Sequence, residues 1–201
     1  MPITQLLVAT RNRDKAKEFQ DMVRDLGLEV LTLHDIPGMG EIVEDALTLE
    51  ENALKKAHEA FRHSGIPSLG DDTGLEVHYL NDEPGVRSSR YAGPGATYAD
   101  NCQKLLRKLR GVPPRRRGAR FRCALAFVSH GDIEEVVEGT CAGVILEQPR
   151  GSNGFGYDPV FLPAGHTQTF AEMESSLKNS ISHRGLAFQS MRRILVKYTG
   201  R

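Results

Sequence analysis

Residues 3–15 read ITQLLVATRNRDK, and they indicate the architecture of the chain. The apolar and β-branched run over residues 3–9 is typical of a strand, and the polar segment Thr10 to Lys15 follows it directly. Apolar residues then recur at helical spacing as far as Gly27. We therefore predict a strand, a polar turn and a helix, the unit from which α/β folds are built.

Helices and strands continue to alternate along the chain. Residues 28–33 form a second predicted strand, and a capping box at Thr48–Glu51 opens a second helix. A third predicted helix begins at Thr97 and ends before Gly111, whereas residues 119–146 have the alternating pattern of strands. We predict an α/β fold with a mixed central sheet and flanking helices, in which the central β segment forms a second lobe and a substrate cleft lies between the lobes.

The length and charge of the chain bound its function. Two hundred and one residues suffice for one compact domain, so we predict a single domain over residues 1–201. The 26 basic and 26 acidic residues cancel, which argues against a general nucleic-acid or membrane-surface binder. The basic run Arg115 to Arg117 follows two prolines and is interpreted as a solvated connector.

The cysteines predict a reducing compartment. Cys102, Cys123 and Cys141 have neither metal-ligand spacing nor an even count for disulfides, and each lies within an apolar pattern. We expect them to be small core residues of a cytoplasmic protein. We find no charged start followed by an apolar stretch, and no run long enough to span a bilayer, so no membrane partner is expected.

The segment GDDTGLE, residues 70–76, contains the first candidate site. Adjacent carboxylates repel each other and are costly to bury, so a tight turn that holds Asp71 and Asp72 together favours a bound cation, most often Mg²⁺. A solvated turn is the alternative, because Asp and Gly are favoured in turns for backbone reasons. The first interpretation predicts phosphate chemistry.

A phosphate-binding site is predicted at the start of the first helix. Free backbone N–H groups carry partial positive charge there, Thr10 and Asn12 add polar donors, and Lys15 adds a full charge. Alternatively, Thr10 or Asn12 caps the helix and Lys15 is solvated. A lysine is unfavourable beside the positive end of a helix, which favours the phosphate interpretation.

Two further segments are candidates for ligand binding. Residues 149–159, PRGSNGFGYDP, place aromatic rings among glycines, which suits either a hairpin turn or a loop that stacks on a nucleobase. Residues 175–185, SSLKNSISHRG, put Lys178 and Arg184 on the N-terminal side of the last helix, where positive charge favours a nearby anion. A basic solvated surface, with His183 as an exposed imidazole, is the alternative for this second segment.

Taken together, these segments resemble the inosine/xanthosine triphosphate pyrophosphatase family. Five blocks occur in the order and spacing of that family over nearly the whole chain: Thr-x-Asn-x-x-Lys at 10–15, DDTGLEV at 71–77, PGV to SRYAG at 84–93, GFGYDP at 154–159 and KNSISHRG at 178–185. The resemblance implies hydrolysis of the noncanonical purine triphosphates ITP, dITP and XTP to the monophosphate and pyrophosphate, which keeps deaminated purines out of DNA and RNA. It also implies Mg²⁺ as cofactor and a homodimer of α/β subunits.

The resemblance further implies roles for individual residues. Asp72 would activate water or hold Mg²⁺, Glu44 would be the second metal carboxylate, and Asp71 would support them. The residues that would contact the nucleotide are Thr10, Arg11, Asn12, Arg13, Asp14, Lys15, Lys56, Thr73, Phe155, Gly156, Tyr157, Asp158, Lys178, His183 and Arg184.

Within that set, the resemblance implies that some residues contact the phosphates of the nucleotide and others contact its base. Lys15, Lys56 and Lys178 would hold phosphate oxygens, while residues 155–158 and 183–184 would surround the base. Inosine and xanthosine present an acceptor oxygen where adenosine presents an amino donor, so donors aimed there would be left unpaired by ATP. Departures from the family pattern at Arg11, Asp14 and Leu177 bear on the preference among ITP, dITP and XTP.

Two other functions remain as alternatives. A Maf-like nucleotide pyrophosphatase would share the chemistry but prefer modified pyrimidine or guanine nucleotides. A nucleotide sensor without catalysis would bind the same ligands and release no pyrophosphate. The Ser-His-Arg and Gly-Phe-Gly-Tyr-Asp segments argue against the first alternative, and the combination of Lys15, Asp72 and Lys178 argues against the second.

Overall fold

The computed structural model describes residues 2–200, which contain five α-helices and seven strands. In chain order these elements are β1 (Gln5–Val8), α1 (Arg13–Val23), β2 (Glu29–Thr32), α2 (Leu49–Ser64), β3 (Ser68–Val77), β4 (Glu83–Gly85), α3 (Tyr98–Lys108), β5 (Gly118–Ser129), β6 (Ile133–Ile145), β7 (Phe161–Pro163), α4 (Ser175–Ile181) and α5 (His183–Thr199).

The strands form a mixed sheet in the hydrogen-bonded order β2-β1-β3-β5-β6-β7, with β4 paired to β3. Strand β1 is parallel to both β2 and β3, so that Leu7 of β1 lies opposite Leu31 and Ser68. Strand β4 is antiparallel to β3, and β7 is antiparallel to β6. Parallel neighbours require long crossover connections, and α1 and α2 lie in those connections. The predicted α/β fold with a mixed sheet is confirmed.

Local signals in the sequence explain where the helices begin and end. The Asn12 side chain caps α1, and Thr48 and Glu51 form the predicted capping box at the start of α2. The predicted first helix is α-helical only as far as Val23, after which one 3₁₀ turn leads to Gly27 at φ 63°. A left-handed glycine is a common way to end a helix, because it has no Cβ to clash.

The described chain divides into two compact units. The first comprises the residues up to Asp72, Cys123–Gly139 and the residues from Arg184 onward, and the second comprises Thr73–Arg122 and Thr140–His183. Each unit has its own buried apolar cluster. The prediction that the central β segment forms the second lobe is therefore only partly correct, because β5 and β6 are long strands that contribute residues to both units.

The prediction of a tight turn at Asp71 and Asp72 is wrong. Both residues lie inside β3, which runs unbroken over ten residues. Gly70 has a packing role, since a Cβ at this position would lie 1.9 Å from the Ala53 carbonyl oxygen of α2. Consecutive strand residues point to opposite faces, so the two carboxylates have different surroundings although they are neighbours in sequence.

The cysteines behave as predicted, whereas the basic run does not. All three cysteines are buried and none forms a disulfide. Arg115 and Arg116 are exposed, but Arg117 is buried and donates hydrogen bonds to the carbonyl oxygens of Leu109, Ile145 and Leu146. The solvated-connector interpretation is therefore wrong for Arg117. Across residues 2–200, no helix has the length and apolar character needed to cross a membrane.

Candidate active site

Asp71 lies in a buried cluster of charged side chains in the first unit. Arg184 donates from Nε to Asp71 Oδ2 at 2.8 Å, and Lys15 donates from Nζ to Asp71 Oδ1. The Cys123 thiol also donates to Oδ2, at 3.3 Å, and Arg184 donates from Nη1 to Glu18 at 2.7 Å. Burial alone would raise the pKa of Asp71, but Arg184 and Lys15 together hold it well below its usual range. Asp71 is therefore a permanent anion that fixes two cations.

Asp72 has a different set of partners. Asn52 donates from Nδ2 to Asp72 Oδ2 at 3.0 Å, and Lys56 Nζ lies 3.4 Å from Asp72 Oδ1. Burial is the largest influence on the pKa of the Asp72 carboxyl, and together with the nearby Glu44 carboxylate it raises this pKa in spite of Lys56 and Lys15, which lower it. A carboxylate whose pKa is raised toward neutrality can accept a proton more readily, which suits a general base.

The Lys56 ammonium marks a position that is surrounded by protein oxygens. It donates to Glu44 Oε1 and to the Asp71 backbone carbonyl at 2.6 Å, in addition to its contact with Asp72. Carboxylate and carbonyl oxygens are the ligands that Mg²⁺ prefers, and Mg²⁺ is often held by one or two carboxylates while water and phosphate supply the rest. The donor set at Glu44 and Asp72 therefore fits Mg²⁺. No group of three or more His, Cys, Asp or Glu side chains that could hold a metal occurs within residues 2–200.

The predicted phosphate site at the start of α1 has the geometry of a capped helix. Asn12 Oδ1 accepts from the backbone N–H groups of Asp14 at 2.9 Å and Lys15 at 3.3 Å, and Thr10 Oγ1 accepts from Asn12 N at 3.1 Å. The capping role is thus observed, and the phosphate role stays a prediction. Burial is the largest single influence on the pKa of Lys15 and lowers it, but the carboxylates of Asp71, Asp72 and Glu44 together outweigh burial and raise the pKa, so Lys15 is fully charged at neutral pH.

The remaining predicted residues near α1 lie closer to the surface. Arg11 is exposed and donates to the backbone carbonyl of Met39, while His34 hydrogen-bonds to the Arg11 carbonyl at 3.1 Å. Arg11 therefore ties the start of α1 to the loop that follows β2. Arg13 and Asp14 are exposed in the first turn of α1.

The second unit brings together the predicted loop and Lys178. Lys178 Nζ lies 2.7 Å from Asp158 Oδ2 and 4.7 Å from the centre of the Phe155 ring. The same Asp158 oxygen accepts from the Phe155 backbone N–H at 2.9 Å, and the buried Tyr157 hydroxyl donates to the Ser88 carbonyl at 2.9 Å. The anion expected beside Lys178 is thus supplied by the protein itself. Lys178 belongs to the cluster of residues predicted to surround the base.

The predicted pair His183 and Arg184 is divided between two clusters. His183 is buried in the second unit and stacks on Phe121 at 4.5 Å with an interplanar angle of 13°. The alternative of an exposed imidazole is therefore wrong. Arg184 is buried in the first unit against Asp71 and Glu18, which supply the anions expected near the last helix.

Sequence reasoning missed Asn52, which is fully buried in α2. Its Nδ2 donates to Asp72, and its Oδ1 accepts from the Ala46 backbone N–H at 3.0 Å. Asn52 therefore ties the loop that carries Glu44 to the strand that carries Asp72. The available signal was its spacing from Lys56, because residues four apart lie on the same face of a helix.

Glu18 was missed as well. It lies one turn after Lys15 on α1, and its carboxylate accepts from Arg184 at 2.7 Å. An acidic residue three positions after a lysine is ordinary on an exposed helix face, so nothing in the local pattern set Glu18 apart.

Comparison with known proteins places this arrangement in a family. The sequence model of the Ham1 family matches residues 6–194. The chain is 44% identical to the dITP/XTP pyrophosphatase of Desulfotalea psychrophila, over 94% of this chain and 84% of that protein. It is 46% identical to the dITP/XTP pyrophosphatase of Bacillus licheniformis, over 95% of this chain and 97% of that protein.

A solved structure agrees with the sequence relatives. The HAM1 protein from Coxiella burnetii superposes with a TM-score of 0.87 at 38% identity, covering 97% of this chain and all of that one. Fold and sequence therefore point to the same group of proteins, and the chain belongs to the Ham1 family.

Proposed function

We propose that the chain hydrolyses deaminated purine nucleoside triphosphates, ITP, dITP and XTP, to the monophosphate and pyrophosphate. The relatives named above are dITP/XTP pyrophosphatases and match nearly the whole chain. The observation that carries the proposal is the environment of Asp72, a buried carboxylate with a raised pKa beside an oxygen-lined cation position. This combination suits activation of water next to a polyanion.

In this proposal Asp72 accepts a proton from the water that attacks the α-phosphorus. Glu44 and Asp72 would hold Mg²⁺, which when bound neutralises charge on the triphosphate. Lys15 and Lys56 are lysines of the first unit that contact Asp71 and Asp72, and they would contact phosphate oxygens. Asp71 keeps Lys15 in place, because a fixed anion prevents this flexible side chain from swinging into solvent.

Base recognition is assigned to the second unit. Phe155 offers a ring for stacking, which is worth about 1–3 kcal/mol per base. Asp158 and Lys178 form a buried ion pair against that ring, and in this proposal their charges would lie at the base end of the ligand. In this proposal Lys178 serves the base, and Arg184 positions Asp71.

A pyrophosphate-release assay tests the proposal. The purified protein is given ATP, GTP, ITP, XTP and their deoxy forms, with and without Mg²⁺. We expect release from ITP, dITP and XTP, little from ATP and GTP, and a strict need for the metal. A preference for modified pyrimidine or guanine nucleotides would favour the Maf-like alternative, and binding of ITP without any release would favour the sensor.

The proposal also covers the domain organisation, the oligomeric state and the cellular location, for which the family resemblance is the support. The chain would act as one pyrophosphatase domain over residues 1–201, as a homodimer, in the cytoplasm. Light scattering on the eluted size-exclusion peak measures the subunit number directly. A monomer that retains full activity would remove the dimer from the proposal.

A further inference from the structure

We propose that Lys56 is the resident cation of the metal position, that Mg²⁺ displaces its ammonium group, and that the freed ammonium then binds the triphosphate. This inference rests on the proposed function, which assigns Glu44 and Asp72 to the metal. It adds a second role for Lys56, because the residue would control metal affinity before the nucleotide arrives.

The geometry places Lys56 Nζ where a divalent ion would be coordinated. The ammonium contacts Glu44 Oε1, the Asp71 carbonyl oxygen at 2.6 Å and Asp72 Oδ1 at 3.4 Å. The Lys56 side chain is only 7% exposed, so these oxygens, rather than water, take up its hydrogen bonds. Mg²⁺ binds oxygen ligands at about 2.1 Å in an octahedral arrangement. A metal ion at that distance from Glu44 and Asp72 and an ammonium in the same position exclude each other.

Charge balance gives the exchange its direction. One ammonium carries half the charge of Mg²⁺, so exchange for the metal puts more positive charge beside the Glu44 and Asp72 carboxylates. Once the metal is bound, it repels the ammonium. Lysine is a point charge on a flexible four-carbon stem, so the side chain can turn to another anion without movement of α2. The triphosphate is the anion that this reaction brings.

The exchange predicts coupling between metal and nucleotide. Without nucleotide, Mg²⁺ must compete with Lys56, so its affinity is reduced. With nucleotide, the ammonium has a new partner and the competition ends, so metal and triphosphate promote each other's binding. Removal of the Lys56 charge should therefore strengthen metal binding and weaken nucleotide binding, which are opposite effects of one substitution.

The neighbouring lysine provides a matched control. Lys55 lies on the same helix and pairs with Asp45 at 2.7 Å, but the Asp45 carboxylate is 67% exposed. The Lys55–Asp45 ion pair is adjacent in sequence to Lys56 and Glu44, but it lies outside the oxygen-lined position that the Lys56 ammonium occupies. Lys55→Met therefore removes one lysine charge from the same region without opening the metal position.

The test measures binding of Mn²⁺ alone, by electron paramagnetic resonance of the free ion, to nucleotide-free protein. We expect Lys56→Met to bind Mn²⁺ about tenfold more tightly than the wild type, within the roughly 5–150-fold range typical of coupled sites. Lys55→Met and the charge-preserving Lys56→Arg should bind like the wild type. Adding Asp72→Asn to Lys56→Met should abolish the gain. Unchanged or weaker Mn²⁺ binding by Lys56→Met would overturn the exchange.

Thermal unfolding supplies a readout that does not depend on catalysis. The Lys56→Met variant lacks the ammonium that contacts Glu44 and Asp72, so Mn²⁺ should raise its unfolding temperature by more than that of the wild type. If Lys56→Met does not fold, the same comparison is made with Lys56→Gln, and an equal rise in both proteins would contradict the inference. Wild-type protein that releases no pyrophosphate would overturn the proposed function, whereas active wild type with unchanged Mn²⁺ affinity in the variant would overturn only the exchange.

Discussion

Asp71 and Asp72 are adjacent in sequence, yet their carboxyl pKa values shift in opposite directions. The cause is the twofold alternation of a strand, which turns one side chain toward Lys15 and Arg184 and the other toward Asn52 and Lys56. Asp71 therefore remains ionised and holds cations. Asp72 retains a higher proton affinity, as a base requires.

Replacement of Asp72 by Asn should separate catalysis from stability. We expect turnover of ITP to fall by about 10²–10⁴-fold, the contribution typical of a general base, while ITP binding measured without metal is largely kept. The folded protein should not be destabilised at pH 7, because the raised pKa shows that the ionised form of Asp72 is disfavoured in the fold. Near-normal turnover in the variant would remove Asp72 as the base.

Replacement of Asp71 by Asn should have a pH-dependent cost in stability. At pH 7 we expect a loss of about 3–5 kcal/mol, because Arg184 and Lys15 would lose the buried carboxylate that they share. The pKa of Asp71 is lowered by folding, so its contribution is present above the usual carboxyl pKa of about 4 and is lost as the pH falls through the lower native value.

Urea unfolding of the two proteins at a series of pH values measures this difference. The free energies of unfolding of wild type and Asp71→Asn should differ most near neutrality and converge in acid. A difference that stays constant down to pH 3 would show that the Asp71 charge does not stabilise the fold.

At the level of elements, the contact between β3 and α2 depends on a single glycine. Gly70 lets the strand approach the helix so closely that a Cβ would meet the Ala53 carbonyl oxygen at 1.9 Å and the Ala57 nitrogen at 3.0 Å. That approach brings Asn52 and Lys56, one helical turn apart on α2, within reach of Asp72.

Gly70→Ala should therefore destabilise the protein by about 3 kcal/mol, the upper part of the range for overpacking, since backbone atoms cannot move aside as side chains do. Gly40→Ala is the matched control, because a Cβ there meets nothing within 4 Å. Denaturant unfolding of the two variants measures both effects. If Gly70→Ala is as stable as Gly40→Ala, the close approach of strand and helix is not required.

At the level of the whole molecule, the predicted site residues separate by unit. The proposed phosphate contacts Lys15 and Lys56 belong to the first unit, while Phe155, Asp158 and Lys178 belong to the second. The family resemblance assigned Lys178 to the phosphates, but its observed partners are Asp158 and the Phe155 ring.

This distribution predicts the effect of Lys178→Ala. Loss of the ammonium leaves Asp158 buried without its ion-pair partner and loosens the loop around Phe155, so discrimination between ITP and ATP should fall by about tenfold or more. Lys15→Ala, as the comparison, should raise KM for all triphosphates alike. Steady-state kinetics with ITP and ATP distinguish the two patterns. A uniform rise in KM for Lys178→Ala would show that Lys178 contacts the phosphates and not the base.

Local patterns in the sequence were sufficient for the elements whose causes are local. The strand before Thr10, the cap at Asn12 and the capping box at Thr48 depend on residues within one or two turns of one another, and each is observed. The motif residues Lys15, Asp72 and Lys178 could also be chosen from sequence as candidates, because charged side chains in such positions need partners.

Which partners they have was decided only by the tertiary structure. Arg184 reaches Asp71 across 113 positions of sequence, and Gly70 could not be recognised as a packing residue until α2 lay against it. A turn was expected at Asp71 and Asp72 because Asp and Gly favour turns when only neighbours are considered, but both residues lie inside β3. Cations from distant segments compensate the two carboxylates there, and a local pattern holds no information about how such segments meet.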